Sequence, residues 1–258
     1  MRILVTLLLI GIFTTSCVKE EPEPVIINTI ESEFQIIPWQ ILNPGSSDFS
    51  LIIRSDEVQD CLNSELDANI DWIGNTLNIQ INGIVQNEPC NQGQAYAESN
   101  LTLDMAPGLY DFVINLGSSI QNTGTIEIDT DVFKLDLTDN TGIALIQDSL
   151  LRIEEGVSWG YLDDRLVGTL VNPEINASIS EEINIVTTFR EGNYGHFEVG
   201  DLNSIIIAGS PDNVTSMLLD TRKSGAWQQL KEILLEAETK YPDLKYRFTR
   251  WDGLEIWN

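Results

Sequence analysis

The stretch NTLNIQINGIV (residues 75–85) alternates clearly between apolar and polar side chains. Leu77, Ile79 and Ile81 are separated from one another by asparagine and glutamine. Successive side chains of a β-strand point to opposite faces of a sheet, so this alternation predicts a strand with one buried and one solvated face. A helix would instead repeat its apolar residues at intervals of three and four.

Other segments between residues 34 and 138 also have strand character and are separated by turns. FQIIPWQIL (34–42), for example, ends at the turn sequence Asn43-Pro44-Gly45. Glycine, proline and asparagine favour turns between strands. Short strands at this spacing predict an antiparallel β-sandwich of the immunoglobulin-like class over residues 31–139.

The pattern of a true immunoglobulin domain is incomplete. Cys61 and Trp72 are spaced like the first cysteine and the core tryptophan of that fold. Cys90, however, lies in the loop-like sequence NEPCNQG, and Glu88 stands two residues before it where tyrosine is expected. The sequence therefore supports only the sandwich class, and it predicts that Trp72 lies in the core.

Residues 140–258 have a mixed pattern that predicts an α+β domain. Apolar residues recur at three and four between Gly225 and Tyr241, which predicts one long helix ending before Pro242. Asn172-Pro173 opens a polar stretch to which no helix is assigned. Asp252-Gly253 predicts a terminal hairpin, so we expect the helix to cover a mostly antiparallel sheet.

Composition restricts the class of partner. The chain has 258 residues, with 14 Lys+Arg against 40 Asp+Glu and a net charge of −26. Such acidity excludes a nucleic-acid partner, because phosphate binding requires lysine and arginine. Bases are nevertheless concentrated between Arg222 and Arg250, where seven accompany four acids. These bases either pair with the acidic body of the molecule or form a local site for an anionic ligand.

The N-terminus resembles a bacterial lipoprotein signal. Arg2 precedes an apolar run of eleven residues, Ile3 to Phe13, whereas a membrane-spanning helix needs about 20. The run ends in Thr14-Thr15-Ser16-Cys17, where threonine stands in place of the usual leucine of the lipoprotein box. The resemblance implies cleavage of residues 1–16 and a diacylglycerol, with palmitate-like chains, on Cys17. The alternative is an ordinary secretory signal whose cleavage site happens to contain a cysteine.

Residues 17–30 are interpreted as an acidic tether that contains proline. The sequence VKEEPEP follows Cys17 directly and is similar to the charged export signal of surface lipoproteins in the Bacteroidota. The resemblance implies a lipid-anchored protein of the outer membrane that is exposed on the cell surface. The alternative is a solvated spacer, because acids and prolines keep a chain extended and cannot build a core.

Acylation of Cys17 would leave Cys61 and Cys90 as the remaining cysteines. Two cysteines in an exported protein usually form a disulfide, so we expect one bond between them. A metal site is not expected, because the sequence has a single histidine and no C-x-x-C motif. No cofactor is expected either.

Four residues near the C-terminus are the candidate binding site: Arg247, Arg250, Trp251 and Trp257. Aromatic side chains on a sheet face stack on sugar rings or anchor protein partners. The alternative is that they pack beneath the helix that contains Trp227.

Possible catalytic groups are less specific. His196 and Glu198 would share one face of a strand, which is the arrangement of a base oriented by a carboxylate, but a structural histidine at a hairpin is the alternative. No catalytic motif accompanies His196. Acid pairs such as Asp129 and Asp131 could serve a glycosidase or calcium, although the calcium-loop frame is not matched.

Three functions remain open. The first is a non-enzymatic, lipid-anchored envelope protein that binds a glycan or an envelope protein. The second is a surface glycoside hydrolase, or another hydrolase, that uses a carboxylate pair. The third is a structural subunit that docks on an outer-membrane complex.

Overall fold

The computed structural model describes residues 25–27, 34–43, 46–167, 171–186 and 189–258. In this part of the chain the protein is mainly β, as the alternation predicts, with nineteen strands and two α-helices. The predicted signal peptide and Cys17 lie outside the described residues, as does the tether except for residues 25–27. No described helix is both long enough and apolar enough to cross a membrane.

Eleven strands of the described chain form one curled sheet. In chain order they are β1 (Val25–Ile27), β2 (Phe34–Asn43), β3 (Ser46–Cys61), β4 (Ser64–Ile73), β5 (Thr76–Gln86), β6 (Gln92–Leu103), β7 (Gly108–Leu116), β8 (Ile120–Ile128), β9 (Val132–Leu137), β10 (Ile143–Leu145) and β11 (Ser149–Leu151). Across the sheet the order is β10-β2-β3-β6-β4-β5-β7-β8-β9-β11, and β1 pairs with β5.

The core of this sheet follows from the alternation in its strands. Leu77, Ile79 and Ile81 of β5 are all buried, as the sequence predicts. They belong to one apolar cluster that also includes Leu51 of β3 and Phe133 of β9. Because β10 pairs with β2 and β11 pairs with β9, a single segment of chain joins the two ends of the sheet around this core.

Some strand directions differ from the antiparallel arrangement that was predicted. β5 and β7 run parallel over six residue pairs, and β10 runs parallel to β2. β4 and β6 are joined by a single parallel pair, Glu65 with Glu98. Alternation within a strand depends on which face is buried and carries no information on the direction of the neighbouring strand. The immunoglobulin-like class therefore stays a prediction.

The prediction that Trp72 lies in the core is wrong. Its side chain is 39% exposed near the end of β4, beside Ile73, which is 67% exposed. The Trp72 ring contacts Tyr110 of β7 edge-on, with 5.7 Å between ring centroids. Burial in β4 is confined to its first residues, so the β4–β5 hairpin carries this tryptophan beyond the core. Spacing from a cysteine could not reveal where burial ends along the strand.

The C-terminal half contains two further sheets and both helices. In chain order its elements are β12 (Val157–Asp163), α1 (Val171–Glu182), β13 (Asn184–Ile185), β14 (Gly192–Asn193), β15 (Phe197–Val199), β16 (Ile205–Ile207), β17 (Thr215–Asp220), α2 (Ala226–Lys240), β18 (Lys245–Arg250) and β19 (Glu255–Trp257). One sheet has the order β13-β17-β12-β18-β19, and the other has the order β14-β15-β16.

Helix α2 and the terminal hairpin β18–β19 are present where the sequence predicts them. Helix α1 was not predicted, because its sequence is mostly polar. Ile175 and Ile179 are buried one helical turn apart, so an apolar stripe was present in the sequence. Pro173 is compatible with this helix because it lies in the first turn, where backbone N–H groups have no intrahelical partner.

A third apolar cluster lies where the two halves of the chain meet. It contains Trp159, Phe197 and Leu218, and Leu42 and Val132 of the first sheet pack against it. A backbone-to-side-chain bond also crosses the junction, because the Ile153 N–H donates to Gln40 Oε1 at 2.8 Å. The C-terminal half therefore packs against the end of the first sheet that contains Leu42.

Candidate functional site

A row of side chains crosses the face of the five-stranded sheet that points away from the helices. Tyr161 of β12 is paired with Arg247 of β18, which is paired in turn with Trp257 of β19. Cross-strand partners share a face of the sheet, and neighbouring strands are about 4.8 Å apart. Two aromatic side chains therefore flank one guanidinium. We call Tyr161, Arg247 and Trp257 the aromatic row.

The next pair along the hairpin supports Arg247. The Arg247 guanidinium donates from Nη2 to Glu255 Oε1 at 2.7 Å, and the Thr249 hydroxyl donates to the same oxygen at 3.3 Å. The side chain of Arg247 remains 51% exposed in this ion pair. Exposed ion pairs contribute little to stability, so the arrangement fixes the direction of Arg247 more than it stabilises the fold.

The aromatic row runs from the junction cluster, against which the partly buried Tyr161 packs, to the exposed edge of the sheet at Trp257. Trp159 lies two residues before Tyr161 in β12 and therefore on the same face of the sheet. It is buried against Phe197 of β15, with 5.2 Å between ring centroids. Trp257 by contrast is 69% exposed. A large exposed aromatic beside a partly exposed arginine combines an apolar surface with hydrogen-bond donors, which suits a flat amphipathic ligand.

Two of the four predicted site residues do not belong to this surface. Arg250 is paired with Ser158 and so lies on the opposite, helix-covered face. Its guanidinium binds the buried carboxylate of Asp252, and its Cζ lies 5.6 Å from the ring centroid of Trp227 on α2. Trp251 is half-buried and packs against the junction cluster. These two side chains stabilise the hairpin, and only Arg247 and Trp257 are brought together at the surface.

The basic stretch is largely neutralised within the molecule. Four of its bases form ion pairs with acids: Arg222 with Asp220, Lys240 with Glu174, Arg247 with Glu255 and Arg250 with Asp252. In each of the first two pairs, the hydrogen bond from the base lowers the pKa of the carboxyl group. This arrangement favours the first of the two interpretations of the basic stretch, intramolecular pairing.

His196 lies at the junction between the two halves of the chain. Its Nε2 is 2.7 Å from the carbonyl oxygen of Gln40, so the neutral ring donates this hydrogen bond. The ring contacts both Trp39 and Trp159, with centroid distances of 4.3 and 5.6 Å. Burial lowers the pKa of His196, while the bond to Gln40 and the charge of Glu255 act in the opposite direction. The geometry is that of a histidine that joins two parts of a fold.

We expect the His196 environment to make the protein less stable in acid. Because the folded-state pKa is lowered, the unfolded chain, with a histidine pKa near 6.5, binds more protons on acidification. This contribution to stability is full above about pH 6.5 and is lost as the pH falls toward the folded-state pKa. His196→Gln keeps an N–H donor for the Gln40 carbonyl oxygen and should remove this pH-dependent contribution to stability. Urea unfolding of both proteins at about pH 7.5 and pH 5 measures the difference, and equal pH dependence would contradict the assignment.

The predicted acid pairs do not converge on a metal site. Among the described residues, no group of three or more His, Cys, Asp or Glu side chains is arranged to hold a metal ion. The pKa of Asp163 and that of Asp252 are each lowered by a hydrogen-bonded arginine. A general acid of a glycosidase requires a raised pKa instead.

A cleft of about 450 Å³ also opens beside the junction. Arg152, Arg190 and Glu154 line it together with Tyr194. The Tyr194 hydroxyl donates to the Arg190 carbonyl oxygen at 3.0 Å, and burial raises its pKa to about 12. Its hydroxyl is thus directed to the backbone of the cleft wall rather than into the cleft.

Tyr161 is the member of the surface that sequence reasoning missed. It is separated from Arg247 by most of the C-terminal half, and only the pairing of β12 with β18 brings the two together. Comparison with known proteins adds no relative: no protein family, curated protein or solved structure matches the chain. The candidate site therefore depends on its geometry alone.

Proposed function

We propose that the protein is a lipid-anchored, non-enzymatic protein of the cell envelope that binds a glycan through the aromatic row. The exposed position of Trp257 beside Arg247 is the observation that carries this proposal. A sugar ring has an apolar face and a rim of hydroxyl groups. Tryptophan and tyrosine rings can stack on the apolar face, while the Arg247 N–H groups and the Glu255 carboxylate can form hydrogen bonds with the hydroxyl groups.

The anchor in this proposal is a diacylglycerol on Cys17, at the outer membrane and exposed on the cell surface. Its support is the apolar run that ends in Thr15-Ser16-Cys17 and the acidic segment that follows. Two or three acyl chains suffice for stable anchoring, whereas a single chain does not. The membrane is then the partner at the N-terminus, and the glycan is the partner at the aromatic row.

We also infer that the curled sheet is a sandwich of the immunoglobulin-like class that acts as a stalk, made of residues 31–139 together with β1, β10 and β11. The single residue pair between β4 and β6 supports this, because it makes the sheet nearly discontinuous there. Strands on both sides of that point contribute to one core. Ile143 and Leu150 belong to the core of the first sheet, so within residues 140–258 the α+β domain that carries the binding face begins after β11.

Glycan binding should weaken when the aromatic row is altered. We expect Trp257→Ala and Arg247→Ala each to weaken binding to the strongest ligand on a glycan array by about tenfold or more, as for central aromatic and arginine contacts. Trp72→Ala removes another partly exposed tryptophan and is the matched control. Titration calorimetry with the array ligand gives the affinities.

Three results would count against this proposal. Array binding that is equally strong in wild type and in the Trp257→Ala variant would place the ligand elsewhere. Release of shortened glycan during incubation, lost on a single Asp→Asn change, would favour the hydrolase. Absence of any array ligand, with co-purification of one fixed protein, would favour an envelope protein as partner.

A further inference from the structure

We infer that the protein is held with its Cys61–Cys90 end toward the membrane and its C-terminal half away from it. This orientation rests on the proposed lipid anchor at Cys17. The decisive feature is β1, a short strand that lies within residues 17–30, the predicted tether. Its pairing with β5 determines where the tether leaves the folded body.

β1 joins the first sheet at one end of β5. Val25 is paired with Gln86, the last residue of β5, and Ile27 is paired with Ile84. The two strands are antiparallel, so the N-terminal end of β1 lies beside the C-terminal end of β5. Gln86 is also paired with Ser64, the first residue of β4, which follows Cys61 by three positions. Val25, the first described residue after the proposed anchor, therefore lies at the end of the sheet that carries the disulfide.

The C-terminal half packs at the other end of the same strands. In β3, Ser46 is paired with Asn43, whereas Cys61 lies at the far end of that strand. A Cβ added to Gly253 of the terminal hairpin would lie 2.8 Å from the Leu42 carbonyl oxygen, so the hairpin touches the Asn43 end. Fifteen residue steps of β3 separate the two ends, or about 50 Å at about 3.3 Å per residue.

The length of the tether decides between upright and inverted orientations. Eight residue steps connect Cys17 to Val25 and span at most about 29 Å when fully extended. In the inverted orientation the Thr76 end of β5 would contact the membrane, and Gln86 would lie about 33 Å above it. This height exceeds the maximum span between Cys17 and Val25, the partner of Gln86. A side-on position on an anionic surface is disfavoured by the net charge of −26. The upright orientation remains, and it directs the C-terminal half outward.

Energy transfer from single labelled cysteines to a fluorescent lipid tests this orientation. Glu57 and Asp104 are exposed, and no ion pair of the described chain includes either of them. Glu57 lies in the half of β3 that leads to Cys61, and Asp104 follows Leu103, the partner of Phe49. The positions are about 26 Å apart along the strands. The acylated Glu57→Cys and Asp104→Cys proteins would each be bound to vesicles of phosphatidylcholine and phosphatidylglycerol that contain an acceptor-labelled lipid.

We expect transfer from the Glu57 position to exceed that from the Asp104 position by at least about twofold. Equal transfer would indicate a side-on molecule, and greater transfer from Asp104 would indicate an inverted one. Either result would overturn the orientation while leaving the anchor in place. Failure of the purified protein to float with the vesicles would overturn the anchor itself, and the orientation with it.

Discussion

Replacement of Cys17 by serine is expected to move the protein from the membrane to the soluble fraction. A serine hydroxyl cannot form the thioether that carries the diacylglycerol, so all acyl chains are lost. Each buried methylene contributes about 0.8 kcal/mol, and we therefore expect the membrane-bound share to fall at least about a hundredfold. Fractionation followed by vesicle flotation measures this share.

Thr14→Leu is the matched control for this change. It places leucine at the position where the lipoprotein box usually has it, and it should preserve membrane attachment. If the Cys17→Ser variant stayed on the membrane after a high-salt wash, the proposed anchor would be contradicted. The acidic body would not adsorb to anionic lipid by itself, so residual binding would require a different attachment.

Removal of the disulfide is expected to cause the second large effect. Cys61 and Cys90 are bonded, as the sequence predicts, with a sequence separation of 29 and 5.4 Å between their Cα atoms. In the chain-entropy model a loop of this size stabilises the folded state by about 3–4 kcal/mol. We expect the double variant Cys61→Ala and Cys90→Ala to lower the free energy of unfolding by that amount, measured by urea unfolding.

The wild-type protein under reducing conditions is the control for this prediction. It should lose about the same stability as the double variant, because both lack the cross-link. The double variant itself should not respond to the reductant. A loss below about 1 kcal/mol would indicate that the β3–β4 and β5–β6 connections are held together by other contacts, such as the Leu62 N–H bond to the Asn91 carbonyl oxygen.

The parts of the fold that the sequence predicts well are those set by local patterns. β5 alternates because its neighbours bury one face, and α2 repeats its apolar residues because a core lies on one side. Helix α1 shows the limit of this reasoning. Its buried residues Ile175 and Ile179 lie among polar residues after a proline. Two apolar residues are too few to establish a helical period in such a segment, so the polar composition favoured a loop.

The candidate site shows a different limit, which concerns faces of a sheet. Arg247 and Arg250 are three positions apart in one strand, so they must point to opposite faces. Because the two arginines are close in sequence, they were predicted to share one surface. An odd number of steps along a strand instead places them on opposite faces. The pairing of Arg247 with Tyr161 depends on the order of strands across the sheet. No local pattern encodes that order, so this part of the site required the structure.

The most direct test of the proposed anchoring is the intact mass of the protein purified from membranes. We expect the mass of residues 17–258 with a diacylglyceryl group on Cys17, and with a further acyl chain where the amine is modified. Peptide fragmentation should locate the added mass on that first residue. A chain that retains residues 1–16, or one that begins at Cys17 without added lipid mass, would contradict the anchor and everything inferred from it.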